Sequence, residues 1–383
     1  MANNNDKKVL NVPALRFPEF SGEWRYSSLW NECDILCGYP FDGQDILEDS
    51  GSVKLLRGIN ITEGEIRHSK ELDRYYSGDI SRLEKYILKE GDLVLGMDGS
   101  KVGRNSAILT ISEHGSYLVQ RVCRIRSQKH NVEYIFHNIN NSKFHRYVDS
   151  VKTASAIPHI SQSDIQDYII AFPPTTEEQI KITSLFSLLD QRIATQNKII
   201  EKLKSLIKGI TILLTTKGKP NTTIAQCLEC HSSTLQESDV SHSELYKVFG
   251  ANGLIGYTDM PQMNGDAILI IKDGSGVGTT SYAQGEFSVI GTLNYLTAIS
   301  NYDLRYLYFV LSVFNFQSYK TGMAIPHIYF KDYGNAKIYC PPLSEQKRIA
   351  NVLGKLESKL YLEQNILASF NLQKRYLLGQ MFI

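Results

Sequence analysis

One long heptad segment occurs twice in this chain, and a chain built that way is constrained to fold as two copies of one plan. The first copy opens with Pro173 and Pro174, after which Thr175 or Thr176 can cap a helix. Glu177 and Glu178 fall in its first turn, where negative charge opposes the positive end of the helix dipole. Apolar residues then recur at alternating steps of three and four. Phe186, Ile193, Ile200, Ile207 and Leu214 form one row. Leu189, Leu203 and Ile210 form the other, with Gln196 as its polar member. Such a seam is that of a coiled-coil strand.

The second copy starts at Pro341 and Pro342, and Glu345 and Gln346 repeat the Glu178–Gln179 pair. Aligned on that pair, one row reads Leu353, Leu360, Leu367, Lys374 and Met381, and its companion reads Leu356, Glu363, Phe370 and Leu377. Glu363 takes the place that Gln196 holds in the first copy. A polar residue inside a seam costs stability and fixes register.

The regions before each helix also match. Asp92 opens an apolar run that ends in the turn Asp98, Gly99, Ser100, Lys101, Val102, Gly103. Asp266 opens the second run, which ends in Asp273, Gly274, Ser275, Gly276, Val277, Gly278. Residues 106–111 and 117–125 read as strands, residues 132–148 have helical spacing, and residues 306–316 are the second copy of that helix. Ala156, Ile157, Pro158, His159 and Ile160 return as Ala324, Ile325, Pro326, His327 and Ile328, each just before the last strand of its domain. The chain is an internal tandem duplication. Its fold class is α+β: two duplicated mixed domains, with a curled antiparallel sheet in the first, separated by two long antiparallel coiled-coil helices about a pseudo-two-fold axis. The boundaries are an arm and first domain over residues 1–172, a first long helix over 173–216, a second domain over 217–340 and a second long helix over 341–383. Residues 1–10 read as a disordered lead-in. Residues 11–24 read as an extended arm, because Pro13 and Pro18 forbid a regular helix, pinned by Leu15, Phe17, Phe20 and Trp24.

In this order and applied twice, the arm, the Gly-rich turns, the Ile-Pro-His-Ile segments and the Pro-Pro…Glu-Gln helices resemble the specificity subunit of type I restriction-modification systems. The resemblance covers nearly the whole chain. It implies two target recognition domains and two spacer helices in a non-catalytic subunit that selects a bipartite DNA sequence. The partners it implies are double-stranded DNA, two methyltransferase subunits and, where present, restriction subunits. It implies no cofactor in this chain, with S-adenosylmethionine, ATP and Mg belonging to the partner subunits. A helix of about 37 residues is roughly 55 Å long, which suits two half-sites of the order of one DNA turn apart, about 10 bp, or somewhat more.

Candidate DNA contacts follow from position and chemistry. Ser100, Lys101, Arg104 and Asn105 sit on the first Gly-rich turn, and Arg and Asn carry the paired groups that read guanine and adenine edges. Lys152, Thr153 and Ser155 precede the first Pro-His segment, where such groups bind phosphate. The matching residues are Lys272, Ser275, Thr279, Thr280 and Lys320. Residues 95–160 hold nine Lys/Arg against four Asp/Glu, while the second domain has no such excess and is expected to lean on hydroxyls, aromatics or a partner protein. His159 and His327 read as structural groups at the junction of domain and long helix rather than as general bases, because no acid or nucleophile repeats beside them.

Other chemistry finds little support. Cys227, Cys230 and His231 spell a haem-attachment pattern, but six irregularly spaced cysteines read as free thiols in a reducing cytoplasm. A zinc site would need a second pair, for which Cys33 and Cys37 are the candidates. The start of the chain, with Lys7 and Lys8 and no apolar core, is not that of a secretory signal, and no apolar run is long enough to span a membrane. There is no Gly-x-x-x-x-Gly-Lys-Ser/Thr loop, no dinucleotide-binding unit around Gly274, Gly276 and Gly278, and no Asn-Pro-Pro-aromatic tetrapeptide of the partner methyltransferases. The net charge of +1 announces no partner by itself. The competing reading is a protein–protein scaffold or inhibitor with duplicated domains and no DNA readout.

Overall fold

The computed structural model describes residues 11–49, 53–241 and 245–383. The lead-in read from residues 1–10 lies outside the described residues. Contacts group the chain into two compact units, one of residues 1–194 with 368–383 and one of residues 195–367. Each unit thus holds one domain together with part of both long helices.

In the first unit, four antiparallel strands run in the order Asp34–Cys37, Val122–Arg126, Leu93–Gly96, Ser106–Ile108. Leu93, Val94 and Leu95 are wholly buried because both faces of this sheet are covered. Leu93 and Leu95 pack under the helices Val132–Ile139 and Ser142–Val151, through Tyr134, Ile135, Ile139, Phe144 and Val148. Val94 points the other way, into a cluster with Leu56, Ile61, Leu88 and Leu118. The second unit repeats this with Leu228–Ser232, Leu293–Ala298, Ala267–Ile271 and Thr280–Ala283. Ile268 and Ile270 face the helix Leu304–Ser312, and Leu269 and Ile271 face a second sheet.

Three sequence expectations are corrected. The strand expected over 117–125 is two strands, Tyr117–Leu118 and Val122–Arg126, in different sheets. Arg121 breaks the run with a left-handed backbone, φ +67. The shorter strand pairs parallel with Leu55 and Leu56, so that sheet is mixed rather than antiparallel. The helix expected over 132–148 is likewise two, because Asn141 stops the first and caps the second, its Oδ1 accepting the N–H groups of Lys143 and Phe144. In the arm, Trp24 is buried and Phe17 packs on the core, but the Leu15 side chain is 43% exposed. Leu15 is held instead by its backbone, which donates to Gln380 O at 3.0 Å.

Both long helices form, as Thr176–Thr215 and Leu343–Met381. Thr175 Oγ1 accepts the Glu178 N–H at 3.3 Å and so caps the first. No residue of either predicted seam is exposed: Phe186, Leu189, Ile200, Gln196, Leu353 and Glu363 are buried, and Ile193, Leu203, Ile207, Leu356, Leu360, Leu367, Phe370 and Leu377 are half-buried. Within the second unit the two polar members meet: Gln196 Nε2 donates to Glu363 O at 3.0 Å and to Glu363 Oε2 at 2.5 Å. Within the first unit Lys374 Nζ reaches Asp190 Oδ1 at 2.5 Å. As the residue number rises on one helix it falls on its partner, so the pairing is antiparallel. No helix among the described residues is long and apolar enough to cross a membrane.

Each domain is fastened to the start of its helix by the same device. Gln179 Oε1 accepts the N–H of Asn131, the cap of the domain's helix, at 3.0 Å, and Gln346 Oε1 accepts that of Asp303 at 2.9 Å. Beside them Tyr134 Oη donates to Ala171 O at 2.6 Å and Tyr306 Oη to Tyr339 O at 2.7 Å. Glu178, which sequence assigns to the helix dipole, is 1% exposed and takes two hydrogen bonds from Arg16, at 2.7 and 2.8 Å, and one from Trp24 Nε1 at 3.3 Å. The arm is thereby tied to the first helix. Nearby, burial pushes the His137 imidazole down to about 3, and Lys374 adds to that shift, so His137 packs uncharged beside Phe186.

Replacing Gln179 or Gln346 by leucine leaves a half-buried cap N–H without its acceptor. Each change is expected to cost about 1–3 kcal/mol, read as a lower denaturant midpoint for the altered chain. A midpoint unchanged in both variants would mean these glutamines do not fasten the domains.

Candidate nucleic-acid interface

The Gly-rich turn of the first unit joins strand Leu93–Gly96 to strand Ser106–Ile108. Its path needs left-handed backbone at Gly99, φ +87, and at Gly103, φ +70. A Cβ on Gly103 would stand 2.7 Å from the Val148 side chain, so only glycine fits there. Val102 is 1% exposed and pins the turn to the core, while Ser100 and Lys101 stay exposed. The second unit builds the same turn with Gly274 at φ +99, Gly278 at φ +89 and Val277 buried. A Cβ on Gly278 would meet Phe316 at 2.9 Å.

The Pro-His segment is hydrogen-bonded to this turn in both units. Gly99 N–H donates to Pro158 O at 3.0 Å and Ile160 N–H to Met97 O at 3.0 Å. Their counterparts are Gly274 to Pro326 at 2.9 Å and Ile328 to Lys272 at 3.0 Å. A third loop joins them: Met97 N–H donates to Arg121 O at 2.9 Å, and Lys272 N–H to Thr292 O at 3.0 Å. Residues predicted from two separate stretches, Ser100, Lys101, Arg104 and Asn105 with Lys152, Thr153 and Ser155, therefore belong to one surface. In the second unit Lys272, Ser275, Thr279 and Thr280 share a surface with the loop that follows Lys320.

His159 and His327 brace this arrangement. Thr153 Oγ1 lies 3.0 Å from His159 Nδ1 and accepts the His159 N–H at 3.1 Å, and His159 bridges to Asp98. His327 bridges to Asp273 and to Thr321, and its ring packs edge-on against Tyr329. The placement at the domain–helix junction is therefore corrected: both histidines hold loop to turn, and the junction belongs to Gln179 and Gln346.

The cationic groups are engaged by carboxylates. Lys101 Nζ lies 3.0 Å from Glu63 Oε1, Arg104 Nη2 2.6 Å from Asp149 Oδ2 and Lys152 Nζ 2.7 Å from Asp149 Oδ1. Lys152, and then Arg104, hold the Asp149 carboxyl down at about 2. Lys272 pairs with the neighbouring Asp273 at 2.6 Å. Each of these contacts leaves a cation at the surface and can exchange its carboxylate for phosphate. Sequence reasoning missed Arg121, exposed on the third loop, and the two carboxylates. Only the left-handed backbone of Arg121 singles it out, and that is invisible in sequence.

The cysteine cluster offers no ligand set. His231 stacks on Tyr295 and bonds Thr297, all six cysteines are free, and among the described residues no group of three His, Cys, Asp or Glu is placed to hold a metal.

The profile of the type I restriction modification DNA specificity domain matches residues 24–205 and again residues 231–371. The chain belongs to that family. Both matches contain a Gly-rich turn and a Pro-His segment, so the family's repeat is the repeat seen in the fold. Among curated relatives, the specificity subunit of the Escherichia coli type I restriction enzyme EcoBI is 25% identical over 208 residues, which is 54% of this chain and 40% of that protein. The EcoAI specificity subunit, also from Escherichia coli, is 28% identical over 189 residues, 48% of this chain and 30% of that one. The chain thus spans less than half the length of these relatives. Among solved structures, the S subunit of a type I restriction-modification system from M. genitalium superposes with a TM-score of 0.64 at 17% identity, covering 97% of this chain and 99% of that one. A chain from a structure of type I R-M complex assembly and conformational transition gives 0.60 at 15% identity, covering 95% and 98%. At such identities the likeness is one of fold.

For a specificity-family domain with this surface, DNA affinity should carry a salt dependence set by the cations that exchange their carboxylates for phosphate. Lys152→Ala and Lys101→Ala are each expected to reduce the slope of log K against log salt by about one. Glu63→Gln, which releases Lys101, is expected to raise affinity. Binding titrations across a salt series check this; slopes unchanged by both lysine substitutions and an affinity unmoved by Glu63→Gln would place the DNA elsewhere.

Proposed function

We propose that this chain is the DNA sequence-recognition subunit of a type I restriction-modification complex, each domain reading one half of a bipartite, asymmetric site. The observation that carries the reading is the doubled surface, in which a Gly-rich turn, a Pro-His loop and a third loop are joined by the same three backbone hydrogen bonds in both units. Two copies of one scaffold with different side chains, Lys101, Arg104 and Asn105 in one and Gly276, Thr279 and Thr280 in the other, suit two different half-sequences. Membership of the specificity family supports DNA as the ligand.

The chain's own part is recognition, without a catalytic step. Arg104 and Asn105 would meet base edges, Lys152, Thr153 and Ser155 would hold phosphates, and the paired helices would fix the register between the half-sites. Methyl transfer to adenine, and cleavage where a restriction subunit is present, belong to partner subunits that carry S-adenosylmethionine, ATP and Mg. The long helices support such partners. Leu188, Leu206 and Leu213 on the first, and Tyr361, Leu372 and Tyr376 on the second, are more than half exposed although they are large and apolar. Exposed apolar residues along a helix suit docking of a methyltransferase subunit on each side of the pair. The place of action is the cytoplasm, where the chromosome is.

The test is methylation mapping in cells that express the chain with its methyltransferase partner. One bipartite motif is expected, lost when the chain is deleted. Exchange of residues 217–340 for those of a relative is expected to change one half of that motif and leave the other. A methylation pattern indifferent to the chain, although the partner binds it, would favour the scaffold reading.

A further inference from the structure

Both Pro-His loops carry an exposed isoleucine at the same position. Ile157 and Ile325 stand immediately before the proline in their loops, and each is 66% exposed. A single exposed apolar side chain needs no explanation by itself. These two are set apart by repetition at one position and by the backbone that holds them. The following proline keeps the isoleucine extended. Ser155 Oγ donates to Ile157 O at 2.7 Å, and His327 Nδ1 lies 3.2 Å from Ile325 O. Hydrogen bonds of Pro158 to Gly99 and of Pro326 to Gly274 anchor the next residue to the Gly-rich turn. The loop is thus braced on both sides of a side chain that points into solvent, and a β-branched side chain has few rotamers to lose on contact.

What surrounds the isoleucine decides what it fits. Lys152, Thr153 and Ser155 precede Ile157, Lys101 lies on the turn hydrogen-bonded to its loop, and exposed Arg121 lies on the third loop, which bonds Met97 at the start of that turn. An apolar tip ringed by cations and hydroxyls complements a duplex, which presents charged phosphates around an apolar base stack. An apolar protein partner would be served poorly by that ring. The second unit has fewer cations and a larger apolar tip: Met323 is fully exposed beside Ile325, and Tyr329 is 48% exposed.

We propose that Ile157 in the first unit, and Ile325 with Met323 in the second, are wedges that enter the DNA groove and unstack one base step in each half-site. Apolar wedges of this kind bend DNA and bring more of the duplex onto the protein. The second domain, without a basic excess, gains a larger share of its binding from the wedge. This inference rests on the DNA-reading function proposed above and adds the manner of reading.

The experiment uses the full chain reconstituted with its methyltransferase subunit, on duplexes carrying 2-aminopurine at successive steps of the mapped site. The unaltered complex is expected to raise fluorescence at one step in each half-site. Ile157→Ser should abolish the rise in the first half-site only and weaken specific binding by about tenfold to a hundredfold. It should leave the salt slope unchanged, because no phosphate contact is lost. Ile157→Val should retain the rise, and Ile325→Ser should abolish it in the second half-site only. Thermal melts of each complex establish that folding is intact. Serine variants that bind and unstack like the unaltered complex overturn the wedge while leaving DNA reading intact. So does loss of the methyltransferase subunit from the Ile157→Ser complex, which would place the tip against protein. If the unaltered complex binds no DNA sequence selectively, the underlying function fails first, and that failure is seen without any variant.

Discussion

Two buried glutamines hold this molecule's geometry. Gln179 and Gln346 sit in the first turn of their helices, where backbone donors are unsatisfied and side chains of the domain come closest. Each accepts the N–H of the residue that caps the domain's own helix. That helix covers the sheet, and the sheet carries the Gly-rich turn at the end of its central strand. These hydrogen bonds, with the long-helix side chains packed in each domain core, link the start of the long helix to the element that supports the Gly-rich turn. Both glutamines are almost wholly buried, so losing either leaves the half-buried cap N–H short of its acceptor. The Glu178–Arg16–Trp24 cluster adds a second tie in the first unit, made by the arm.

The seam depends on the same logic of repetition. Gln196 and Glu363 occupy one position of the repeat, and they meet each other. The pair meets at only one register, so a slip by one heptad would bury Gln196 without its partner and leave Glu363 only Lys359 of its own helix. Spacing between the halves of the DNA site would then be a property of helix length and register, and the bases read a property of loops. The two can vary independently, as a specificity subunit requires.

Much of this is legible in the sequence, because periodicity and repetition survive without coordinates. The heptad rows give the helices and their buried edge. The Gly-rich turns are legible from glycine spacing, since in each turn two glycines adopt left-handed backbone and one admits no Cβ. The paired Ile-Pro-His-Ile segments are visible as a repeat, but their contact with the turn is not, because it runs through backbone groups common to all residues. Long-range charge pairs are hidden for a related reason. Glu63 and Asp149, which hold Lys101, Arg104 and Lys152, lie far from those partners or face them only once folded. The split of residues 117–125 between two sheets turns on the backbone of Arg121, and its β-prone neighbours conceal the break. The histidines illustrate a subtler limit: a structural role was readable, but not the elements they join.

In the function proposed, the turn, the Pro-His loop and the third loop of each unit face DNA. The most direct measurement is site-specific photo-crosslinking in the complex with the methyltransferase subunit and its DNA, with the photoreactive residue at Ser155, at Met323, or at Lys198 on the exposed side of the first long helix. Crosslinks are expected from Ser155 to nucleotides of one half-site, from Met323 to the other, and none to DNA from Lys198. Crosslinks from Ser155 and Met323 to the methyltransferase subunit, with DNA captured from Lys198, would contradict it.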